Sequence, residues 1–97
     1  MERSLHVITR KRLREFAAAH ADASAALDTW FRVVSKAQWQ SFAELRMTYR
    51  SADLVGQFTV FNVKDDIRII AVVDFRRSKV FIKHVLTHAE YDRGRWK

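Results

Sequence analysis

The sequence predicts an α+β fold in which an N-terminal strand and a helical hairpin pack on one face of a mainly antiparallel sheet. Two observations predict it. Apolar residues recur at helical spacing as far as Met47, and from Gln57 onward β-branched and aromatic residues alternate with a period of two. A third observation sets the organisation: 97 residues with no proline, no Ser/Gly linker and no internal repeat form one unit, a single domain over 1–97.

Leu5, His6, Val7 and Ile8 read as a short strand. Thr9 is placed to cap a helix from Arg10 to about His20, with Leu13, Phe16 and Ala17 on one face. Asp22 or Ser24 is expected to cap a second helix, where Leu27, Trp30, Phe31 and Val34 follow the i, i+3, i+4, i+7 pattern. Ser41 and Glu44 have capping-box spacing and open a short third helix ending near Met47. A loop from Thr48 to Gly56 leads to three strands: Gln57 to Val63, Ile67 to Phe75, and Lys79 to Leu86.

A two-residue turn at Arg77-Ser78 would pair Phe75 with Val80, Val73 with Ile82, Ala71 with His84 and Ile69 with Leu86 on an apolar face turned to the helices. In that register His84 is a core histidine. The other face collects Arg68, Ile70, Val72 and Asp74 beside Phe81, Lys83, Val85 and Thr87, and is expected to stay open. The loop Lys64-Asp65-Asp66 puts Asn62 next to Arg68. Thr87 and Glu90 form a second capping box directly after the last strand, which sets His88 and Tyr91 on one side of a helical turn near that open face.

Composition removes several classes of function. With no cysteine, thiol catalysis, dithiol redox chemistry and cysteine-based zinc sites are excluded, and packing alone must hold the chain. Two glycines, Gly56 and Gly94, cannot build a P-loop or a dinucleotide fingerprint. Apolar runs such as Ile69 to Val73 are too short to span a bilayer, and no signal-peptide run follows Met1-Glu2-Arg3, so a cytoplasmic protein without a membrane partner is expected.

Charge gives the positive clue. Eighteen Lys and Arg against 11 Asp and Glu leave +7. Residues 76–97 hold Arg76, Arg77, Lys79, Lys83, Arg93, Arg95 and Lys97 against Glu90 and Asp92, and so carry five of those net charges. Arg10, Lys11, Arg12 and Arg14 make a second cluster. Such a balance favours a polyanionic partner, although any one cluster can equally be a solvated face. A membrane surface fits less well, because the C-terminal basic residues lie along a strand and not on an amphipathic helix.

Taken in this order, the segments resemble the HigB-type toxins of bacterial toxin-antitoxin modules, which are ribosome-dependent mRNA interferases with the RelE-like fold. The strings that carry the resemblance are Leu5-His6-Val7-Ile8-Thr9-Arg10-Lys11, Phe16 to Trp30, Val60-Phe61-Asn62-Val63, Val80-Phe81-Ile82-Lys83 and Thr87-His88-Ala89-Glu90-Tyr91-Asp92. The last, after a basic strand, is the most specific. One departure is visible: the family commonly has a glycine and one more residue before the arginine matched by Arg68, where this chain reads Lys64-Asp65-Asp66-Ile67. The resemblance implies a toxin that cuts mRNA in the ribosomal A site. It also implies inactivation by a cognate antitoxin, a small helix-turn-helix protein through which alone operator DNA would be contacted.

Metal-free RNA cleavage needs a base for the 2′-hydroxyl, cations for the phosphorane charge and an acid for the leaving 5′-oxygen. Arg68, Lys83, His88 and Tyr91 are the catalytic candidates: two cations from adjacent strands, an imidazole suited to acid-base work near neutrality, and a ring that can stack on a base or bind phosphate. Arg76, Arg77, Lys79 and Arg93 are candidate RNA contacts that add salt-sensitive affinity without sequence readout. No metal ligand set and no cofactor are expected. Each candidate has a plainer reading: Lys83 as a solvated strand residue, Arg68 paired with Asp74 or another local carboxylate, His88 bound to backbone, and Tyr91 packed on the sheet rim. Trp30 and Trp39 read as core, whereas Trp96 is read as free to stack on RNA or antitoxin. A non-catalytic RNA-binding or protein-interaction module using the same basic face is the alternative; a DNA-reading helix fits poorly because Leu27 to Val34 is too apolar.

Overall fold

The computed structural model describes residues 4–97; the Met1-Glu2-Arg3 start, read above for a leader, lies outside them. The elements are β1 (His6–Ile8), α1 (Lys11–Ala19), a 3-10 turn (Ala21–Ala23), α2 (Ser24–Lys36), α3 (Phe42–Thr48), β2 (Asp53–Val55), β3 (Phe58–Val63), β4 (Ile67–Asp74), β5 (Lys79–Thr87) and α4 (His88–Asp92). The five strands run in the order β1-β5-β4-β3-β2. Only β1 against β5 is parallel, and the other pairs are antiparallel. This is the expected α+β architecture.

Helical spacing produces the main core. Leu13 of α1, Leu27, Trp30 and Val34 of α2, and Leu45 of α3 are buried against Phe61, Ile69, Ala71, Val80 and Ile82 of the sheet. Trp30 meets Phe61 edge-on, with ring centroids 5.3 Å apart, and Tyr49 meets Phe61 likewise at 5.4 Å. Burial pushes the Tyr49 hydroxyl pKa up to about 12. Trp30 and Trp39 are core residues, as expected.

The helix starts depart from expectation. Arg10, not Thr9, precedes α1, and Ala23, not Asp22 or Ser24, precedes α2; neither start has a side-chain cap. A 3-10 turn leads straight into α2, so the chain has no extended cap position there, and Asp22 instead reaches Lys64 at 3.7 Å. Ser41 does cap α3, accepting from the Glu44 N–H, while Glu44 accepts from Gln40. The segment read as a loop contains β2, a three-residue edge strand too short to show a period. In the β3–β4 loop Lys64 takes φ +58°, the left-handed conformation that glycine adopts most readily. Asn62 pairs with Arg68 as expected.

The β4–β5 hairpin overturns the proposed register. Asp74 pairs with Lys79, so residues 75–78 form a four-residue connection, not a two-residue turn. Asp74 fixes it by accepting from the Arg77 N–H at 3.0 Å. The pairs are Val73 with Val80, Val72 with Phe81 and Ala71 with Ile82; Lys83 then bulges out, and Ile70 pairs with His84, Ile69 with Val85 and Arg68 with Leu86. A bulge reverses the alternation beyond it. Val85 therefore joins the helix-side core and not the open face, while Leu86 joins the opposite side. His84 is not a core histidine: it lies half-exposed at the rim.

The second sheet face is not fully open either. Val60, Ile70 and Trp96 form a smaller buried cluster there, packed by Phe58, Leu86 and Tyr91. Trp96 is 6% exposed, so it is a structural anchor of the tail and not a free stacking platform.

Candidate active site

The site begins with a helix start. Thr87 Oγ1 accepts from the Glu90 N–H at 3.2 Å and Glu90 Oε1 accepts from the Thr87 N–H at 2.9 Å, a complete capping box. The hydrogen bond from the Thr87 backbone is the main reason the Glu90 carboxyl is held below the usual carboxylate range, with Thr87 Oγ1 and Arg93 assisting against some desolvation. The His88 N–H donates to the Asp66 carbonyl at 2.7 Å, tying α4 to the β3–β4 loop. That loop also steers Arg68, whose Nη1 donates to the Asp65 and Ile67 carbonyls at 3.3 and 3.0 Å.

With both ends fixed, Arg68 Nη2 lies 3.3 Å from His88 Nδ1, and His88 Nε2 lies 3.2 Å from Asp92 Oδ2. The Arg68 guanidinium also stands 6.0 Å from the Tyr91 ring centroid. Tyr91 stacks on Trp96 at 5.0 Å, and Trp96 Nε1 donates to the Tyr91 carbonyl at 2.9 Å. His88 and Asp92 remain more than half exposed, so this row is accessible to a ligand.

Three of the four catalytic candidates, Arg68, His88 and Tyr91, are thus brought together. Arg68 is not paired with Asp74, which holds Arg77 at 3.9 Å instead. Lys83 stands apart at the bulge, its Nζ 5.8 Å from the Phe81 ring centroid. Leu86, opposite Arg68, is three residues along β5 from Lys83, about 10 Å at strand rise. Arg76 and Arg77 lie in the 75–78 connection and Lys79 opens β5, some six residues or about 20 Å along the sheet from Arg68. They cannot grip the same phosphate as Arg68. Arg93, following α4, lines a cleft with His84, Leu86, Glu90, Arg95 and Trp96. Burial, then the charges of Arg12 and Lys83, push the His84 imidazole below its ordinary value.

Sequence reasoning missed Asp92, the second neighbour of His88, and the tail residue Trp96 that supports Tyr91. The signal for Asp92 was present: it stands four residues after His88 on a helix, the spacing at which side chains meet. The signal for Trp96 was hidden, because a lone tryptophan in a basic tail has no periodic context.

A mixed sheet with helices on one side, and a guanidinium, imidazole and carboxylate row at the end of its last strand, define an α+β protein with titratable groups beside a basic surface. The family model described as HigB toxin, a RelE-like toxic component of a toxin-antitoxin system, matches residues 23–94. The chain belongs to that family. It is 27% identical over 93 residues to the mRNA interferase HigB of Escherichia coli O6:H1, covering 92% of this chain and 90% of that protein. Over 92 residues it is 29% identical to the mRNA interferase toxin HigB of Escherichia coli K12 and to the mRNA interferase HigB of Shigella flexneri, covering 91% of this chain and 88% of each relative.

Proposed function

We propose that this chain is a cytoplasmic toxin that cleaves mRNA engaged by the ribosome and is neutralised by a cognate antitoxin, a small helix-turn-helix protein that alone contacts operator DNA. The observation that carries the reading is the exposed Arg68–His88 contact at the start of α4, with Tyr91 beside it. Family membership and relatives named mRNA interferase support it. In the reaction, the 2′-oxygen bonds to the adjacent phosphorus as its proton passes to His88. The bond from phosphorus to the 5′-oxygen then breaks, and that oxygen takes a proton from water; a 2′,3′-cyclic phosphate and a 5′-hydroxyl result. Arg68 neutralises the phosphorane charge. Lys83 and the hairpin-tip residues Arg76, Arg77 and Lys79 hold neighbouring phosphates, and Arg93 does so from the other side of α4. No metal or cofactor takes part.

Expression of the chain alone should stop growth and produce mRNA fragments with 5′-hydroxyl ends, and the antitoxin should restore growth. Normal growth with verified soluble protein, and intact mRNA on purified ribosomes, would overturn the reading.

A further inference from the structure

We infer that Asp92 is a positioning residue that fixes which nitrogen of His88 takes the 2′-hydroxyl proton; this rests on the endonuclease reading above. The argument starts from the two neighbours of the ring. An arginine guanidinium has only donors, so the nitrogen facing Arg68, Nδ1 at 3.3 Å, presents its lone pair. A carboxylate has only acceptors, so the nitrogen facing Asp92, Nε2 at 3.2 Å, carries the hydrogen. Both neighbours select the same neutral tautomer, and Nδ1 becomes the basic atom. Once that atom accepts a proton, the imidazolium gains the Asp92 charge on its far side, which stabilises the charged ring formed during the reaction.

Arg68 has a second part in this arrangement. In the free protein its guanidinium covers the Nδ1 lone pair. A phosphate attracts the same guanidinium more strongly than a neutral imidazole does, because the acceptor is charged. Drawing Arg68 onto the scissile phosphate therefore uncovers Nδ1 beside that phosphate, and RNA binding itself exposes the base.

A purely structural account of Asp92 is weak. It ends the five-residue α4, where the unpaired carbonyls disfavour a carboxylate, and the side chains of both it and His88 are more than half exposed. Removing it should leave the fold unharmed.

Two readouts test the inference. In nitrogen-15 spectra of the free protein, neutral His88 should carry its hydrogen on Nε2, and Asp92→Ala should give a mixture of the two tautomers. In single-turnover cleavage on saturating ribosomes, Asp92→Ala should lower the rate about 10- to 100-fold with ribosome affinity and thermal midpoint unchanged. Asp92→Asn, which keeps an acceptor oxygen but loses the charge, should restore the single tautomer and recover only part of the rate. An unchanged rate and tautomer in Asp92→Ala, with His88→Ala inactive, overturns the positioning role alone. Full activity in His88→Ala overturns the site reading beneath it.

Discussion

The two faces of the sheet differ in kind. On one, three helices bury a continuous core that runs from Leu5 to Ile82. On the other, only Val60, Ile70 and Trp96 form a buried cluster among the described residues, and a single turn of helix stands on the rim. The thick side supplies stability. The thin side carries the proposed site, because Arg68, His88 and Tyr91 stand where no long helix covers the sheet. The contrast also explains why α4 needs a complete capping box while α1 and α2 manage without side-chain caps: a five-residue helix has too little packing to hold its own start.

Removing one large ring from each face tests the contrast most severely. Phe61→Ala should cost about 3 to 5 kcal/mol and leave little folded protein, since the ring is fully buried among Trp30, Tyr49 and the sheet. Trp96→Ala should cost less, about 3 kcal/mol at most, yet should release Tyr91 and slow cleavage. Urea melts of the two variants compare them directly, and equal losses would mean that the tail cluster is a second true core.

His88→Ala should lower the single-turnover rate by about 10² to 10⁴ with the melting midpoint within a degree or two of the parent, because an exposed side chain on the thin face contributes little to stability. A large fall in midpoint would place a structural duty on this face.

Replacing Arg76, Arg77 and Lys79 together by Ala should weaken ribosome binding and reduce its salt slope by about 2, at roughly 0.7 per phosphate contact. The fold should tolerate it, as the exposed Arg77–Asp74 pair is worth little. An unaltered slope in filter-binding at several salt concentrations would detach the hairpin tip from RNA.

The smallest effect is on pH. The folded-state pKa of His84 is lowered, so the unfolded chain binds that proton more readily. Stability should fall as pH drops from about 6.5 through the lowered value and then level off. Urea midpoints between pH 8 and pH 5.5 should show a shallow decline that His84→Gln reduces. A decline of the same size in the variant would trace it to other groups.

Much of this is legible in the sequence. Leu27, Trp30 and Val34 announced a buried helix face by spacing alone, and Thr87 with Glu90 announced α4, because both signals are local and periodic. The β4–β5 register was not legible. Strand alternation reads the same for a two-residue and a four-residue connection, and the bulge at Lys83 leaves no mark in composition. For that reason the sequence reading places His84 in the core, where the structure does not.

The sequence by itself determined the α+β class, the basic character of the surface and the residue types of the proposed site, since these follow from periodicity, charge and a capping box within a few residues of one another. Only the tertiary structure decided that Arg68 meets His88 across 20 positions, that Asp92 completes the row, and that Trp96 folds back beneath Tyr91. Those contacts depend on strand register and on the path of the tail. Both are set by the sum of packing across the whole sheet, which no local stretch of sequence contains.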